Sequence, residues 1–111
     1  MPDELDALVA APDHHKLLLE NDQVRVLDTR IEPGETVPLH CHCWPAVYYV
    51  VSWSDFIRRD QNGQIQVDTR AAEIVMHPGS AVWGNPLKKH TLENVGSDTL
   101  HMISVELKQS P

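Results

Sequence analysis

The histidine pair His40 and His42, separated by a single cysteine, is the group of side chains in this sequence best suited to chemistry. Alternate side chains of a β-strand point to the same face, so on a strand the two imidazole rings would lie side by side. Two such rings can bind one metal ion, and imidazole suits zinc, iron, nickel and copper. The pair alone is a weak signal, because a metal site needs at least one further ligand from elsewhere in the chain.

The residues around this pair follow a spacing known from one protein superfamily. Gly34 is followed by five residues and then by His40, and Gly79, His90 and Asn94 stand at the offsets of a second motif. Both spacings resemble the two sequence motifs of the cupin superfamily, over roughly residues 17–107. Each of these residue types makes up only a small part of an average sequence, so agreement at several fixed offsets is hard to assign to chance.

This resemblance implies an all-β fold, a small antiparallel jelly-roll barrel of two sheets with a site inside its mouth. It also implies that His40, His42 and His90 bind one divalent transition metal ion. Asn94 matches the last residue of the second motif, whose usual part is structural. Some cupins similar to this chain hold iron with three histidines for dioxygenase chemistry.

The sequence departs from the cupin pattern at one ligand position. The pattern places a glutamate four residues after His42, and this sequence has Ala46 there; Trp53 and Leu87 replace two glycines of the pattern. Three neutral imidazoles would leave the ion its full double charge, so we expect it to attract a small anionic organic ligand. Without a carboxylate ligand, we expect iron, zinc or nickel rather than manganese.

Two further side chains are candidates for a part near the metal. If Ala46 points into the barrel, Tyr48 shares its face and is the nearest proton donor, although a tyrosine packed in the barrel wall is the alternative. His101 lies in a final strand, in phase with Ile103 and Val105. It is either a core histidine that is hydrogen-bonded to the backbone or a partner of a metal ligand.

The other histidines and both cysteines are given no part in the site. We expect His14, His15 and His77 to be exposed loop residues, because each lies beside a proline turn. Cys41 and Cys43 would face away from the histidine pair. A disulfide between residues so close in a strand is strained, so we expect free thiols in a reducing compartment.

Short strands must position these residues. An acidic start followed by Leu5, Leu8 and Val9 predicts a short helix that ends at about Ala11. Four strand-like runs follow: 16–20, 23–31, 36–42 and 46–53. Asn62-Gly63 predicts a hairpin, because both residues tolerate a positive φ. We therefore divide the chain into an N-terminal helical arm, residues 1–13, and a barrel domain, residues 14–111.

Composition restricts the class of partner. Sixteen acidic and nine basic residues give a net charge of -7, so we expect neither nucleic acid nor a membrane as partner. The longest apolar run is short and the first residues lack the basic region of a signal peptide, so we expect a cytoplasmic protein. We also expect a homodimer, because a barrel has exposed strand edges and the arm has little core of its own.

Three functions remain open at this point. The first is a metal-dependent enzyme, either dioxygenase-like or a lyase or isomerase, that acts on a small anionic molecule. The second is a metal-binding or small-ligand-binding module without turnover. The third is a structural barrel with a degenerate site. The three intact histidines favour a working site, whereas the replaced residues Ala46, Trp53 and Leu87 favour decay or specialisation.

Overall fold

Nine strands account for most of residues 4–108, which are the residues that the computed structural model describes. A short helix, α1, spans Ala7–Ala10. The strands follow in the order β1 (His15–Glu20), β2 (Val24–Ile31), β3 (Thr36–His42), β4 (Ala46–Ser52), β5 (Phe56–Asp60), β6 (Ile65–Asp68), β7 (Ala81–Gly84), β8 (Leu87–Asn94) and β9 (Leu100–Leu107). The predicted all-β fold with one short N-terminal helix is confirmed.

The strands form two antiparallel sheets that face each other. One sheet has five strands in the order β1-β2-β9-β4-β7, and the other has four in the order β3-β8-β5-β6. Most spatial neighbours are distant in sequence, as in a jelly-roll barrel, where the chain crosses repeatedly between the sheets. The inward-facing side chains of both sheets therefore meet in the space between them.

The local sequence signals match the observed elements closely. Each of the four predicted strand-like runs lies within one residue of β1 to β4 at both ends. The Asn62-Gly63 turn joins β5 to β6, and Gly63 has a φ of 83°, a conformation that glycine adopts without steric cost. The helix is shorter than predicted, because Asp6 caps its N-terminus by accepting a hydrogen bond from the Leu8 N–H at 3.1 Å.

The N-terminal arm packs against the barrel of its own chain. The Cys41 N–H on β3 donates to the Leu5 carbonyl at 2.7 Å, and Asp6 forms a parallel bridge with Cys41. Asp6 and Ala7 are both buried. Within residues 4–108, no helix reaches the length and apolar character that crossing a membrane requires.

Apolar side chains fill the space between the sheets near the end where Ile31 of β2 pairs with Leu100 of β9. These two residues pack with Ala11, Val37 and Phe56 into one buried cluster. Toward the other end of the same strands, the inward-facing side chains become polar. The apolar cluster therefore forms the floor of a cavity whose walls carry the chemistry-bearing groups.

The apolar pattern of β9 indicated that Ile103 and Val105 face the core. In the structure, the other face of β9 points inward. Ser104 and Glu106 point inward and are almost fully buried, whereas Ile103 and Val105 lie on the outer face and are only half-buried. The pattern was misleading because the outer face of the five-stranded sheet is also apolar. Hydrophobicity alone therefore did not identify the inward side of β9.

Candidate metal centre

Four imidazole rings from three strands meet in the cavity. His40 and His42 come from β3, His90 from β8 and His15 from the start of β1. The His40 ring centroid lies 4.2 Å from that of His90, 5.0 Å from that of His42 and 5.1 Å from that of His15. One ring nitrogen each from His15, His40 and His42 lie within 4.8 Å of one another. The cluster therefore joins the two sheets of the barrel.

Strand pairing places three of these rings on one sheet. His40 and His90 are direct partners across β3 and β8, and His42 follows after a local irregularity in the register. The strand parity that predicted neighbouring rings for His40 and His42 is thus observed. His15 belongs to the other sheet, where it pairs with Thr29 of β2, another residue of the cavity wall.

His15 corrects the expectation that it is an exposed loop residue. Its exposed fraction is 6%, and it begins β1 rather than ending a turn. His14 is also not exposed: it lies half-buried in the preceding turn, with Nε2 3.6 Å from Glu35 Oε1. His77 is exposed, as expected.

Each of the four rings is held through its Nδ1 atom by a hydrogen-bond acceptor. Nδ1 of His15 contacts the Ala11 carbonyl at 3.0 Å, that of His40 the Pro38 carbonyl at 2.8 Å, and that of His90 the Lys88 carbonyl at 2.7 Å. Nδ1 of His42 contacts Glu106 Oε2 at 2.9 Å. A carbonyl or carboxylate oxygen can only accept, so Nδ1 carries the proton in every ring.

This arrangement leaves the Nε2 lone pair of each ring as its available ligand atom. Within the described part of the chain, none of the four Nε2 atoms has a hydrogen-bond partner. Metal-binding histidines typically donate their other ring N–H to a carbonyl or carboxylate, which fixes the tautomer and the ring orientation. The four rings therefore have the hydrogen bonding that a histidine metal centre requires.

Burial keeps three of the rings neutral at neutral pH. It lowers the pKa of His40 to about 2 and the pKa values of His15 and His90 to about 4, because a charged imidazolium would lose its hydration. Imidazole binds a metal ion only in its neutral form. The cavity thus holds these rings in the ligand form across the physiological pH range.

A buried network of charged groups lies on the Nδ1 side of His42. Glu106 accepts from His42 through Oε2 and from Arg25 Nε through Oε1, the latter at 2.6 Å. Arg25 also donates two hydrogen bonds to Asp6, at 2.7 and 2.8 Å. The helix cap is therefore connected to the histidine cluster through two ion pairs.

The charged groups of this buried network keep the carboxylates of Glu106 and Asp6 ionised. Burial alone would raise the pKa of Glu106, but the hydrogen bonds from His42 and Arg25 outweigh it and lower that pKa. Burial would likewise raise the pKa of Asp6, and the bonds from Arg25 lower it. One guanidinium thus faces two carboxylates. The excess negative charge lies behind His42, where it would stabilise a cation bound to that ring.

Ala46 and Tyr48 face the interior, as strand parity predicted. Ala46 has no exposed surface, and it lies opposite Glu106 on β9 and Gly84 on β7. Tyr48 lines the cavity, and its ring lies so close to Gly84 that a Cβ at that position would clash with it. Burial raises the pKa of Tyr48 to about 12, so its phenol keeps its proton at neutral pH.

The cavity has a volume of about 420 Å³ and combines the histidine cluster with an apolar wall. Its polar walls include Tyr48 and Arg58 beside the four rings. The apolar lining consists of Ile31, Val37, Phe56, Met76, Val82, Trp83, Leu87, Leu92 and Met102. No aspartate or glutamate of residues 4–108 lines this cavity. An anionic molecule would therefore meet no opposing carboxylate inside it.

Three predicted site residues do not line the cavity: Ala46, which faces the interior but is covered by its neighbours, His101 and Asn94. His101 is on the opposite face of β9 from Met102, and its Nε2 lies 3.0 Å from Asp28 Oδ1. The expectation of a pocket or metal-supporting part for His101 is corrected on this ground. Asn94 is fully buried, and its amide donates to the Ile31 and Asp98 carbonyls, both at 2.8 Å. Asn94 thus fastens loops at the closed end of the barrel.

Sequence reasoning missed His15, Glu106, Arg25 and Arg58. The first predicted strand began at residue 16, one residue after the observed start of β1. Including His15 in that strand would have assigned its side chain to one face of the sheet instead of to a loop. Arg25 and Glu106 stand at inward positions of β2 and β9, but their parity could be assigned only with the two sheet faces known. The two residues are 81 positions apart in sequence, so no local pattern connects them.

Solved structures of similar fold support this description. A cupin domain from Bordetella pertussis Tohama I superposes with a TM-score of 0.68 at 16% identity, covering 86% of this chain and 92% of that one. An RmlC-like cupin with a double-stranded β-helix fold from Methanocaldococcus jannaschii gives a TM-score of 0.59 at 15% identity, with 84% and 77% covered. The polyketide cyclase RemF from Streptomyces resistomycificus gives 0.55 at 18% identity, with 92% and 70% covered.

Sequence similarity to known proteins is much weaker than this likeness in fold. The sequence matches no protein-family model and no curated protein. The shared property is therefore the architecture of the barrel.

Proposed function

Because this chain has the cupin fold around a cluster of four histidines, we propose that it is a metal-dependent enzyme acting on a small anionic organic molecule. The observation that carries the proposal is the set of four Nδ1 contacts, which leaves four Nε2 atoms free as ligands in one cavity. His15, His40 and His42 offer ligand atoms within 4.8 Å of one another, and His90, whose ring lies 4.2 Å from that of His40, is the fourth proposed ligand.

The donor set indicates the kind of ion. Imidazole suits iron, zinc and nickel, and manganese is less suited because no carboxylate of the described residues enters the cavity. Glu106 lies outside the set of ligands and supplies negative charge through its hydrogen bond with His42. When bound, such an ion would act as a Lewis acid toward an oxygen atom of the substrate.

The protein groups restrict the reaction type. The neutral rings serve as ligands, and Glu106 is held by His42 and Arg25, so neither is available as a general base. Tyr48 keeps its proton and can donate a hydrogen bond to a substrate oxygen. A substrate that binds as its enolate has already lost the proton that a general base would remove. The absence of a free base therefore favours a dioxygenase-like reaction on such an anion and, next, a lyase or isomerase reaction.

One solved structure of similar fold is that of a polyketide cyclase. This likeness supports an enzyme on this fold, although at 18% identity the substrate does not carry over. The second candidate is a module that binds metal or a small ligand without turnover. It is favoured by the shortage of proton-transfer groups in the cavity, where Tyr48 is the main proton donor beside the histidines.

The first experiment measures the metal content of untagged protein by elemental analysis. We expect close to one transition metal ion per chain, and most of it lost in His40→Ala and His90→Ala. His15→Ala should lower the affinity for the metal, because it removes one of the four proposed ligands. His77→Ala is the matched control, because His77 lies in an exposed loop. Wild-type metal content in both His40→Ala and His90→Ala would contradict the proposed site.

The second experiment separates the enzyme from the binding module. Metal-loaded protein is incubated with a panel of enolisable dicarbonyls and hydroxy acids, and oxygen consumption and products are measured. Turnover that is lost in His40→Ala supports an enzyme. Binding of these anions without turnover across the panel would favour the module instead.

A further inference from the structure

Arg58 brings a positive charge to the wall of the cavity. It lies on β5, where it pairs with Leu92 of β8 and Val67 of β6, and its side chain lines the cavity with the four histidines. The charge of Arg58 acts on the rings of both Tyr48 and His90. Arg58 therefore shares the space of the candidate metal centre.

Arg58 lacks the partner that most arginines of this chain have. Arg25, Arg30 and Arg59 each donate to a carboxylate at 2.6 to 3.2 Å. The hydrogen bond of Arg58 runs from Nε to Gln66 Oε1 at 3.1 Å, and no carboxylate within residues 4–108 forms an ion pair with it. Its two terminal nitrogens remain available for a ligand.

The surroundings of Arg58 make an external anion favourable. Arg58 is partly buried and has no ion pair within residues 4–108, and burial accordingly lowers its pKa because the charged form loses hydration. Glu106, which contacts the histidine cluster through His42, is already held by Arg25. A divalent ion at the cluster would add to the positive charge of Arg58. An anion in the cavity would then be attracted by both.

We propose that Arg58 anchors the carboxylate of a substrate whose remaining part is apolar. The planar guanidinium can donate two parallel hydrogen bonds to the two oxygens of a carboxylate. One such group suits a carboxylate better than a phosphate, which carries more charge and more acceptor oxygens. The apolar lining of the cavity then accommodates the body of the molecule. This assignment rests on the proposed function, because it places the substrate beside the metal centre.

The test compares an acid with its neutral amide. Phenylacetate and phenylacetamide have almost the same shape and differ in charge, and each is titrated by calorimetry into metal-free and nickel-loaded protein. We expect wild type to prefer phenylacetate by at least about tenfold, since hydrogen bonds to charged groups are stronger than neutral ones. In the metal-free protein, where no ion contributes to the preference, Arg58→Met should abolish it and leave the affinity for the amide unchanged.

Arg59→Met is the matched control. Arg59 is the next residue on β5 and faces outward, where its Nη1 donates to Glu93 at 3.0 Å. The same chemical change at this position should leave the preference for phenylacetate intact. Arg58→Lys, which keeps the charge but not the planar fork, should retain part of it. It also serves as the test variant if Arg58→Met does not fold by circular dichroism.

The outcomes separate this proposal from the proposed function. If neither form of the wild type prefers phenylacetate, or if Arg58→Met and Arg58→Lys keep the full preference, the anchor is wrong. If the protein binds no metal but the metal-free form still shows a preference that depends on Arg58, the anchor stands and the metal-dependent function fails.

Discussion

Ala46 on β4 and Glu106 on β9 lie directly opposite each other, and neither has any exposed surface. The resemblance to cupins implies a glutamate at position 46, and this chain instead places a buried carboxylate on the neighbouring strand. Glu106 does not line the cavity; it accepts a hydrogen bond from His42. The negative charge is thus retained near the histidines but supports a ligand instead of occupying a ligand position.

We predict that Glu106→Gln weakens metal binding about 10- to 100-fold, because it removes the negative charge behind His42 while keeping an acceptor for its Nδ1. Competition with a chromophoric chelator measures the affinity for zinc or nickel. Glu93→Gln is the control, since Glu93 forms an exposed ion pair with Arg59 on the outer face. An unchanged affinity in Glu106→Gln would show that Glu106 has no part in the metal centre.

Ala46→Glu should make the metal-free protein less stable, because it buries a second carboxylate beside Glu106. A bound cation would offset this repulsion, so metal should raise the melting temperature of the variant more than that of wild type. The added negative charge should also weaken phenylacetate binding to the loaded variant. Ala46→Gln, which has the same size without the charge, separates charge from volume. Equal melting temperatures for both variants in both forms would contradict this prediction.

The parts of the fold that follow from local sequence were predictable. Strand bounds follow from alternation and turn residues such as Asn62-Gly63, because these act through the backbone of a few neighbouring residues. The proximity of His40 and His42 follows from the period of a strand. His90 was placed with them by motif spacing, and the structure brings its ring to 4.2 Å from that of His40.

The parts that depend on pairing between distant strands were not predictable. His15 enters the site because β1 pairs with β2 and its first residue turns inward. Glu106 enters because β9 turns its more polar side to the core, and this choice depends on which face the second sheet covers. An alternating pattern defines two faces of a strand, but it does not identify the inner one when Ile103 and Val105 make the outer face apolar.

The buried histidines predict a pH dependence for the stability of the metal-free protein. Their pKa values are lowered to about 2 for His40 and about 4 for His15 and His90, whereas the unfolded chain has the ordinary value of about 6.5. Between about pH 6.5 and pH 4, the unfolded state binds protons that the folded state does not. Stability is therefore full above pH 6.5 and falls as the pH falls, by up to about 1.4 kcal/mol per pH unit for each ring.

Urea unfolding of metal-free protein between about pH 7.5 and pH 4.5 measures this slope. His90→Asn removes one of the three rings and should reduce the slope by about a third. A free energy of unfolding that does not change over this range would mean that the rings protonate equally in both states.

The outer face of the five-stranded sheet predicts how two copies of the chain associate. A row of apolar side chains crosses all five strands through direct strand partners: Leu19, Val26, Val105, Val47 and Trp83. Tyr49 on the same face is 47% exposed. The outer face of the other sheet carries the Arg59–Glu93 ion pair instead. Contiguous apolar surface of this kind is typical of an interface, and a two-fold axis would let each copy cover the other.

We therefore predict a homodimer joined through the five-stranded sheet, and we expect sedimentation to show a species of twice the chain mass of 12.5 kDa. Tyr49→Glu should convert it to a monomer, because each copy would bury a charge without a partner in the interface. Ile65→Glu is the control, since Ile65 is 57% exposed but belongs to the other sheet, and this variant should remain dimeric. A wild-type species of single chain mass at micromolar concentration, or a Tyr49→Glu variant that is as dimeric as wild type, would contradict this interface.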